Sequence, residues 1–148
     1  MQCGIASLSM ICMYYGKNFS INKLSSLCHE ASDGISLLTI KLTTEKIGFE
    51  TMAGRLHIEE LIKDNGPYIL HWNQNHFVEL YKVDRSGKLF WIADPGKGKY
   101  KLSLEEFKKH WVSTLSNGEE KGIAVANSLE GGVTFLGCNP KKVLPVML

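Results

Sequence analysis

Residues 76–94 read HFVELYKVDRSGKLFWIAD and carry the clearest structural signal in the chain. Two runs in this stretch, residues 76–83 and 88–93, are rich in aromatic and β-branched side chains, which favour strands. The letters DRSG at residues 84–87 lie between them and are typical of a tight turn. We therefore predict an antiparallel hairpin here, with a sheet built around it.

Outward from the hairpin, the chain divides into a helical part and a strand-rich part. Apolar residues recur at helical spacing in the first part, and Gly16 and Gly48 follow two of these runs as helix-ending residues. Helices are predicted at residues 4–15, 20–28, 36–47, 58–63 and, from the capping pattern of Ser103 and Glu106, at 103–111. Further strands are predicted at residues 49–52, 68–72 and 122–126. Helices first and strands afterwards indicate an α+β fold, with a helical half packed against an antiparallel-sheet half.

Length and composition limit the classes of protein to consider. The chain has 148 residues, of which 44% are hydrophobic, which is enough for the core of one domain. We assign residues 1–126 to that domain and 127–148, which have no clear period, to a tail. The net charge of +2, without a basic stripe among aromatics, argues against nucleic acid as a partner.

The cysteines and the apolar runs point to a compartment. Cys3, Cys12, Cys28 and Cys138 form no CxxC pair, and a chain of this length does not need disulfides, so a reducing cytosol fits best. No apolar run reaches the roughly 18 to 20 residues that cross a bilayer, and no signal peptide is recognisable, so we expect this chain alone to be soluble.

Cys3 is the candidate nucleophile. A thiol attacks as its thiolate, so a reactive cysteine needs surroundings that favour negative charge. Cys3 precedes Gly4 at the start of the first predicted helix, where unpaired backbone N–H groups and the helix dipole supply that preference. Gly4 also leaves room for the backbone of a substrate.

His76 and Asp94 are the candidate general base and orienting acid. Alternation along residues 76–83 puts His76, Val78 and Leu80 on one face and Phe77 and Glu79 on the other. Asp94 ends the second strand of the same hairpin, so hairpin geometry brings it opposite the beginning of the first strand. A carboxylate there would fix the tautomer of the imidazole and stabilise the imidazolium.

Each of these residues also has a purely structural interpretation. A cysteine at the start of an apolar helix is commonly a small buried hydrophobe, a strand histidine is commonly a satisfied polar group, and Asp94 before Pro95-Gly96 is a good turn former. The combination of all three favours catalysis. Cys12 and Cys28 are interpreted as structural, and Cys28-His29 lacks nearby partners for a zinc site. The remaining histidines, His57, His71 and His110, are interpreted as surface or packing residues.

Three short motifs now resemble one known family. Cys3-Gly4 opens an apolar helix that ends in Tyr14-Tyr15-Gly16, Asn75-His76-Phe77-Val78 follows, and Ala93-Asp94-Pro95-Gly96 comes last. The order and the separations of 73 and 18 positions between Cys3, His76 and Asp94 resemble peptidase family C39, the bacteriocin-processing peptidases, over residues 3–126. The resemblance implies a papain-like fold with Cys3, His76 and Asp94 as the catalytic residues and with no metal or organic cofactor.

The family resemblance also implies a substrate and partners. Such domains precede the membrane-spanning and nucleotide-binding parts of ABC transporters at the cytoplasmic face of the bacterial inner membrane, and cut leader peptides after a double glycine. The leader is an amphipathic helix, whose docking patch we place around residues 36–49 and the neighbouring strands. ATP belongs to the transporter part, and no GxxxxGK[ST] loop occurs here.

One family feature is missing from the sequence. The resemblance implies a glutamine several residues before the nucleophile as an oxyanion donor, whereas only Met1 and Gln2 precede Cys3. We therefore expect a truncated N-terminus and weakened activity, by about 100 to 1,000-fold for one lost donor. Two other functions stay open: a peptidase-like domain that binds a leader or cargo without cutting it, and another acyl-transfer enzyme with the same triad.

Overall fold

The computed structural model describes residues 3–28, 36–64 and 67–129. Three helices open the chain and a fourth follows the first strand, after which strands dominate. The helices are α1 (Cys3–Tyr14), α2 (Ile21–Cys28), α3 (Leu37–Lys46), α4 (Ile58–Asp64) and α5 (Leu104–Trp111). The strands are β1 (Phe49–His57), β2 (Tyr68–Trp72), β3 (His76–Val83), β4 (Leu89–Asp94), β5 (Gly98–Ser103), β6 (Val112–Ser116) and β7 (Glu119–Leu129).

All seven strands form one antiparallel sheet. Its order is β1-β7-β2-β3-β4-β5, and β6 pairs with the first part of β7. The predicted hairpin is β3–β4, in which Glu79 lies opposite Ala93 and Leu80 opposite Ile92. Its turn is stabilised by Asp84, whose Oδ1 accepts the backbone N–H groups of Lys88 at 2.8 Å and Leu89 at 3.0 Å.

The two faces of the sheet are covered by different helices. α1, α2 and α3 pack on one face around a cluster of buried side chains that includes Ile5, Leu8, Ile40 and Phe77. α4 and α5 pack on the other face, where the buried residues include Leu61, Val78, Leu80, Phe107 and Trp111. The predicted α+β architecture is therefore confirmed, as is the division of Phe77 from Val78 and Leu80 along β3.

Serine caps and glycines set the boundaries of several helices. The hydroxyl oxygens of Ser36 and Ser103 accept the backbone N–H groups of Thr39 and Glu106, which starts α3 and α5. Gly16 and Gly48 have φ values of 75° and 98°, the left-handed region that glycine adopts most easily. The helices therefore end where these glycines were predicted to end them.

The strands differ more from prediction than the helices do. β1 continues to His57 although a strand was predicted only at residues 49–52, because Ala53 and Gly54 have weak strand preference but pair with Val125 and Ala124. β5 and β6 were not predicted, and the strand predicted at 122–126 is part of the longer β7. In each case pairing to a neighbouring strand determines the structure more than local composition does.

Candidate active site

His76 and Asp94 lie together at one end of the β3–β4 hairpin. His76 is the first residue of β3 and Asp94 the last of β4, and the distance from His76 Nε2 to Asp94 Oδ1 is 2.8 Å. A carboxylate can only accept, so Nε2 carries the proton of this hydrogen bond in the neutral imidazole. The other ring nitrogen, Nδ1, is then left with its lone pair and is the atom available as a base.

Asp94 is built into the structure as an ionised carboxylate. Its residue is 5% exposed, and Oδ1 also accepts the backbone N–H of Gly96 at 2.8 Å. Oδ2 accepts the hydroxyl of Tyr100 at 3.2 Å. Burial by itself would raise the pKa of Asp94. The hydrogen bonds from His76, Gly96 and Tyr100, together with the positive charge of His76, lower this pKa below its ordinary value. Asp94 therefore both stabilises the turn at Pro95-Gly96 and contacts His76.

Tyr100 is a site residue that sequence reasoning missed. It lies on β5 opposite Ile92, and it packs against the cluster of buried side chains under α5. Burial and the neighbouring Asp94 carboxylate raise the pKa of Tyr100 to about 12, so its hydroxyl remains a donor to Asp94. The signal that could have found it is the alternation of KYKLS after the Pro95-Gly96 turn, with Tyr100 and Leu102 on one face.

Cys3 opens α1 and packs at the edge of the cluster of buried side chains under α1–α3. Its thiol is free and partly exposed. Met10 on α1 and Glu79 on β3 line the same cleft. Cys3 and His76 are each the first residue of their element, and α1 and β3 contribute to the same cluster of buried side chains through Ile5, Leu8 and Phe77.

The cleft between α1 and β3 holds about 340 Å³. Met10, Met13 and Tyr14 of α1 form one wall and Tyr81 and Lys99 another, with Ala93 and Glu79 also lining it. Burial, which outweighs the opposing effect of Lys99, raises the pKa of Glu79 to about 7. A carboxyl group with a pKa raised to about 7 thus lines this largely apolar cleft.

Cys12, Cys28 and His110 have structural surroundings, while Cys138 lies outside the described residues. Cys12 and Cys28 are buried, and the Thr43 hydroxyl lies 3.5 Å from the Cys28 sulfur. His110 stacks on Trp72 with ring centroids 5.1 Å apart, and its Nδ1 lies 2.8 Å from Asn73 Oδ1. His29 lies outside the described residues. Among those that are described, no group of three potential ligands could hold a metal ion.

Part of the predicted leader-docking region, residues 36–49, is exposed. α3 presents Leu38 and Leu42, one helical turn apart, to solvent, with exposures of 57% and 47%. The assignment of residues 127–148 as a tail stays a prediction, since 130–148 lie outside the described part. Over residues 3–28, 36–64 and 67–129, no helix has the length and apolar character needed to cross a membrane.

Comparison with protein families and curated proteins gives consistent matches. The model of the Peptidase C39 family matches residues 1–117. The Lactococcus lactis protein LagD, a lactococcin-G-processing and transport ATP-binding protein, is 36% identical over 76% of this chain, which spans 17% of its length. The Escherichia coli colicin V secretion/processing ATP-binding protein CvaB is 34% identical over 75% of the chain, which spans 16% of its length.

Solved structures with the same fold include peptidase domains of ABC transporters. A double glycine motif protease from an AMS/PCAT transporter, in complex with the leader peptide, has a TM-score of 0.73 and 32% identity, and the match covers 86% of this chain and 84% of that one. The peptidase domain of Streptococcus ComA has a TM-score of 0.67 over 87% of this chain and 92% of its own, and at 24% identity it supports the fold alone.

Proposed function

Because the chain belongs to the peptidase C39 family, we propose that it is a cysteine endopeptidase that removes leader peptides after a double glycine. The observation that carries the proposal is the 2.8 Å contact between His76 Nε2 and the buried Asp94. In this proposal Cys3 is the nucleophile, His76 the acid and base, and Asp94 the orienting group. No metal or organic cofactor takes part.

The surroundings of the three residues support a two-step hydrolysis. The N-terminus of α1, a helix of 12 residues, stabilises a thiolate at Cys3. The sulfur attacks the carbonyl carbon of the second glycine, and the Nδ1–H of the His76 imidazolium protonates the leaving amine as the peptide bond breaks. Water then attacks the thioester, gives a proton to Nδ1, and releases the leader carboxylate and the thiolate.

The names of the relatives support a partner and a location. LagD and CvaB are described as processing and transport or secretion proteins, and both are much longer than this chain. We infer that the peptidase acts beside the membrane and nucleotide-binding parts of an ABC transporter, at the cytoplasmic face. The exposed Leu38 and Leu42 on α3 make residues 36–49 a candidate for docking an apolar side of the leader.

The test is cleavage of a synthetic leader–core peptide with a central Gly-Gly, followed by mass spectrometry. The chain should cut after the second glycine, and Cys3→Ala and His76→Ala should abolish the product. His57→Ala is the matched control, because His57 is a partly exposed histidine at the end of β1, 3.9 Å from Glu119. Leader binding without cleavage would instead support a non-cleaving receptor, and preferential capture of an added amine would indicate an acyl transferase.

The oxyanion donor gives a second test. If the family glutamine acts as the resemblance implies, a version of the chain extended upstream with that glutamine should cut about 100 to 1,000 times faster. The same extension with alanine in place of the glutamine is the control. Equal rates for the two extended chains would contradict the assignment of this role to glutamine.

A further inference from the structure

The sheet face that carries α1 continues beyond that helix onto β4 and β5. Lys82 on β3 pairs with Trp91 on β4, and Trp91 pairs with Lys101 on β5, so the three form one row. Residues that pair directly across strands share a face of the sheet. A second row, nearer the candidate active site, consists of Glu79, Ala93 and Lys99.

The lysines on this face lie over aromatic rings. Lys82 Nζ is 4.7 Å from the centre of the Trp91 ring, and Lys99 Nζ is 5.5 Å from that of Tyr81. All three lysines are exposed, while Tyr81 and Trp91 are partly buried. The attraction between ammonium groups and ring faces favours keeping these charges above an apolar floor.

Few negative charges oppose the lysines. α1 contains no charged residue, and the carboxyl group that lies on this face of β3–β5 is Glu79. Glu79 is 3% exposed, and its raised pKa of about 7 leaves it only partly ionised at neutral pH. The face is therefore positive beside a cleft with two methionines, whose flexible side chains adapt to different apolar groups.

Protection of the sheet edge does not explain all of this pattern. β5 is an edge strand of the sheet, and lysines on edge strands discourage pairing with other chains. That role can account for Lys99 and Lys101. It does not account for Lys82, which lies on the interior strand β3 and above Trp91.

We propose that this surface, formed by Tyr81, Trp91, Lys82, Lys99 and Lys101 beside the cleft, binds an acidic amphipathic segment of the leader. The proposal rests on the proposed function and names the chemistry of its substrate. Apolar side chains of the leader enter the cleft, and carboxylates along the edge of the same segment pair with the lysines. The surface thus selects leaders by charge, in addition to the selection of glycines at the scissile bond.

The position of the surface agrees with this role. The two rows lie three and six residues along β3 from His76, which corresponds to about 10 and 20 Å. A helical peptide rises about 1.5 Å per residue, so the contacting segment begins about 7 to 13 residues before the scissile bond. Acidic residues in that segment should strengthen binding of the leader, and the same residues placed after Gly-Gly should not.

The experiment measures binding of fluorescent synthetic peptides to the Cys3→Ala chain, so that binding is separated from cleavage. The reference peptide has leucines at helical spacing, glutamates along one flank at the predicted distance, and Gly-Gly. Because exposed ion pairs are individually weak and several are lost together, changing its glutamates to glutamines should weaken binding about 10-fold. Added salt should weaken binding of the glutamate peptide more than that of the glutamine peptide.

Charge reversal provides the specific control. The double variant Lys82→Glu, Lys101→Glu should lose affinity for the glutamate peptide and gain it for a peptide with lysines at the same positions. Lys63→Glu, on α4 at the opposite face, should change neither. The proposal is wrong if glutamate and glutamine peptides bind equally, if moving the glutamates after Gly-Gly has no effect, or if only Leu38→Ser and Leu42→Ser weaken binding. If binding depends on charge but the unmodified chain does not cleave the peptide, the proposal for this surface is supported and the proposed peptidase activity is contradicted.

Discussion

Asp94 combines burial, charge and three accepted hydrogen bonds in one side chain. In Asp94→Asn, the Gly96 N–H still directs one oxygen, so the amide oxygen remains the acceptor for His76 Nε2 and the tautomer is kept. The negative charge beside the imidazolium is lost, and the new amide N–H donates to the Tyr100 hydroxyl instead of accepting from it. We expect kcat/KM to fall about 10 to 100-fold, and about 1,000-fold or more in Asp94→Ala, where the imidazole is no longer held.

The pH profile distinguishes loss of charge from loss of folding in these variants. In Asp94→Asn the imidazole stays oriented but no longer faces a negative charge, so the dependence of kcat/KM on pH should differ from that of the unmodified chain while the fold is kept. Far-UV circular dichroism and thermal melts check that the variants fold. Tyr100→Phe, which removes only the 3.2 Å hydrogen bond to Oδ2, should have the smallest effect. An Asp94→Asn profile superimposable on that of the unmodified chain would contradict the electrostatic role.

The same residues show what the sequence could predict about the site. His76 and Asp94 flank a recognisable turn, so simple hairpin geometry brings them together, and the 2.8 Å contact agrees with it. Tyr100 could not be placed in this way, because β5 was not recognised and its register depends on pairing with β4. A site built from neighbours in one hairpin is predictable from sequence, whereas a partner from the next strand requires the register of the sheet.

At the scale of elements, α5 and β7 are fitted together through Gly122. A Cβ atom at this position would lie 2.3 Å from Cε2 of the Trp111 side chain, which is fully buried and donates its indole N–H to the Ile123 carbonyl. Gly122→Ala should therefore destabilise the fold by about 1 to 3 kcal/mol through overpacking. Urea unfolding monitored by tryptophan fluorescence measures the change.

Two further variants test whether the contact with Trp111 is the cause. Gly96→Ala places a Cβ no closer than 3.4 Å to Asp94 Oδ1 and should change stability much less. Trp111→Phe reduces the ring that the new methyl group meets, so the double variant should be less destabilised than the sum of the single changes. Additive effects would show that Gly122→Ala acts through the strand itself.

Element prediction failed where pairing outweighs composition. The helices were predictable because apolar spacing is accompanied by local signals at helix ends, such as Ser36 and Gly48 at the two ends of α3. β6 was missed because Val112 directly follows α5 and its short strand depends on pairing with β7. Gly122 illustrates the same limit, since no local pattern indicates that a glycine in a strand makes room for an indole.

At the scale of the whole molecule, the helical half packs on the sheet half next to one titratable residue, Glu79. Glu79 lies on β3 between α1 and β5, where Tyr14, Tyr81 and Lys99 are the other titratable groups lining the cleft. Alternation predicted which face of the strand Glu79 occupies. It could not predict the burial, since that depends on where α1 packs, and burial is what raises the pKa of Glu79 to about 7.

This burial makes the stability of the whole domain depend on pH. The pKa of Glu79 is about 7 in the folded chain against an ordinary value of 4.5, so folding favours the protonated carboxyl group. Its contribution is therefore fully present below about pH 4.5 and is lost as pH rises through 7, a difference on the order of 3 kcal/mol. Glu79→Gln keeps the shape of the side chain without a charge, so this variant should lose that part of the pH dependence.

The measurement is the free energy of urea unfolding of both chains between pH 5 and pH 8.5. Glu79→Gln should be only slightly more stable than the unmodified chain at pH 5, and its advantage should grow up to about pH 7 and then stay constant, because above that pH Glu79 is ionised in both the folded and the unfolded chain. Glu50→Gln, an exposed position on β1, is the matched control and should leave the pH dependence unchanged. A parallel loss of stability with pH in Glu79→Gln and the unmodified chain would show that α1 and the sheet separate independently of this proton.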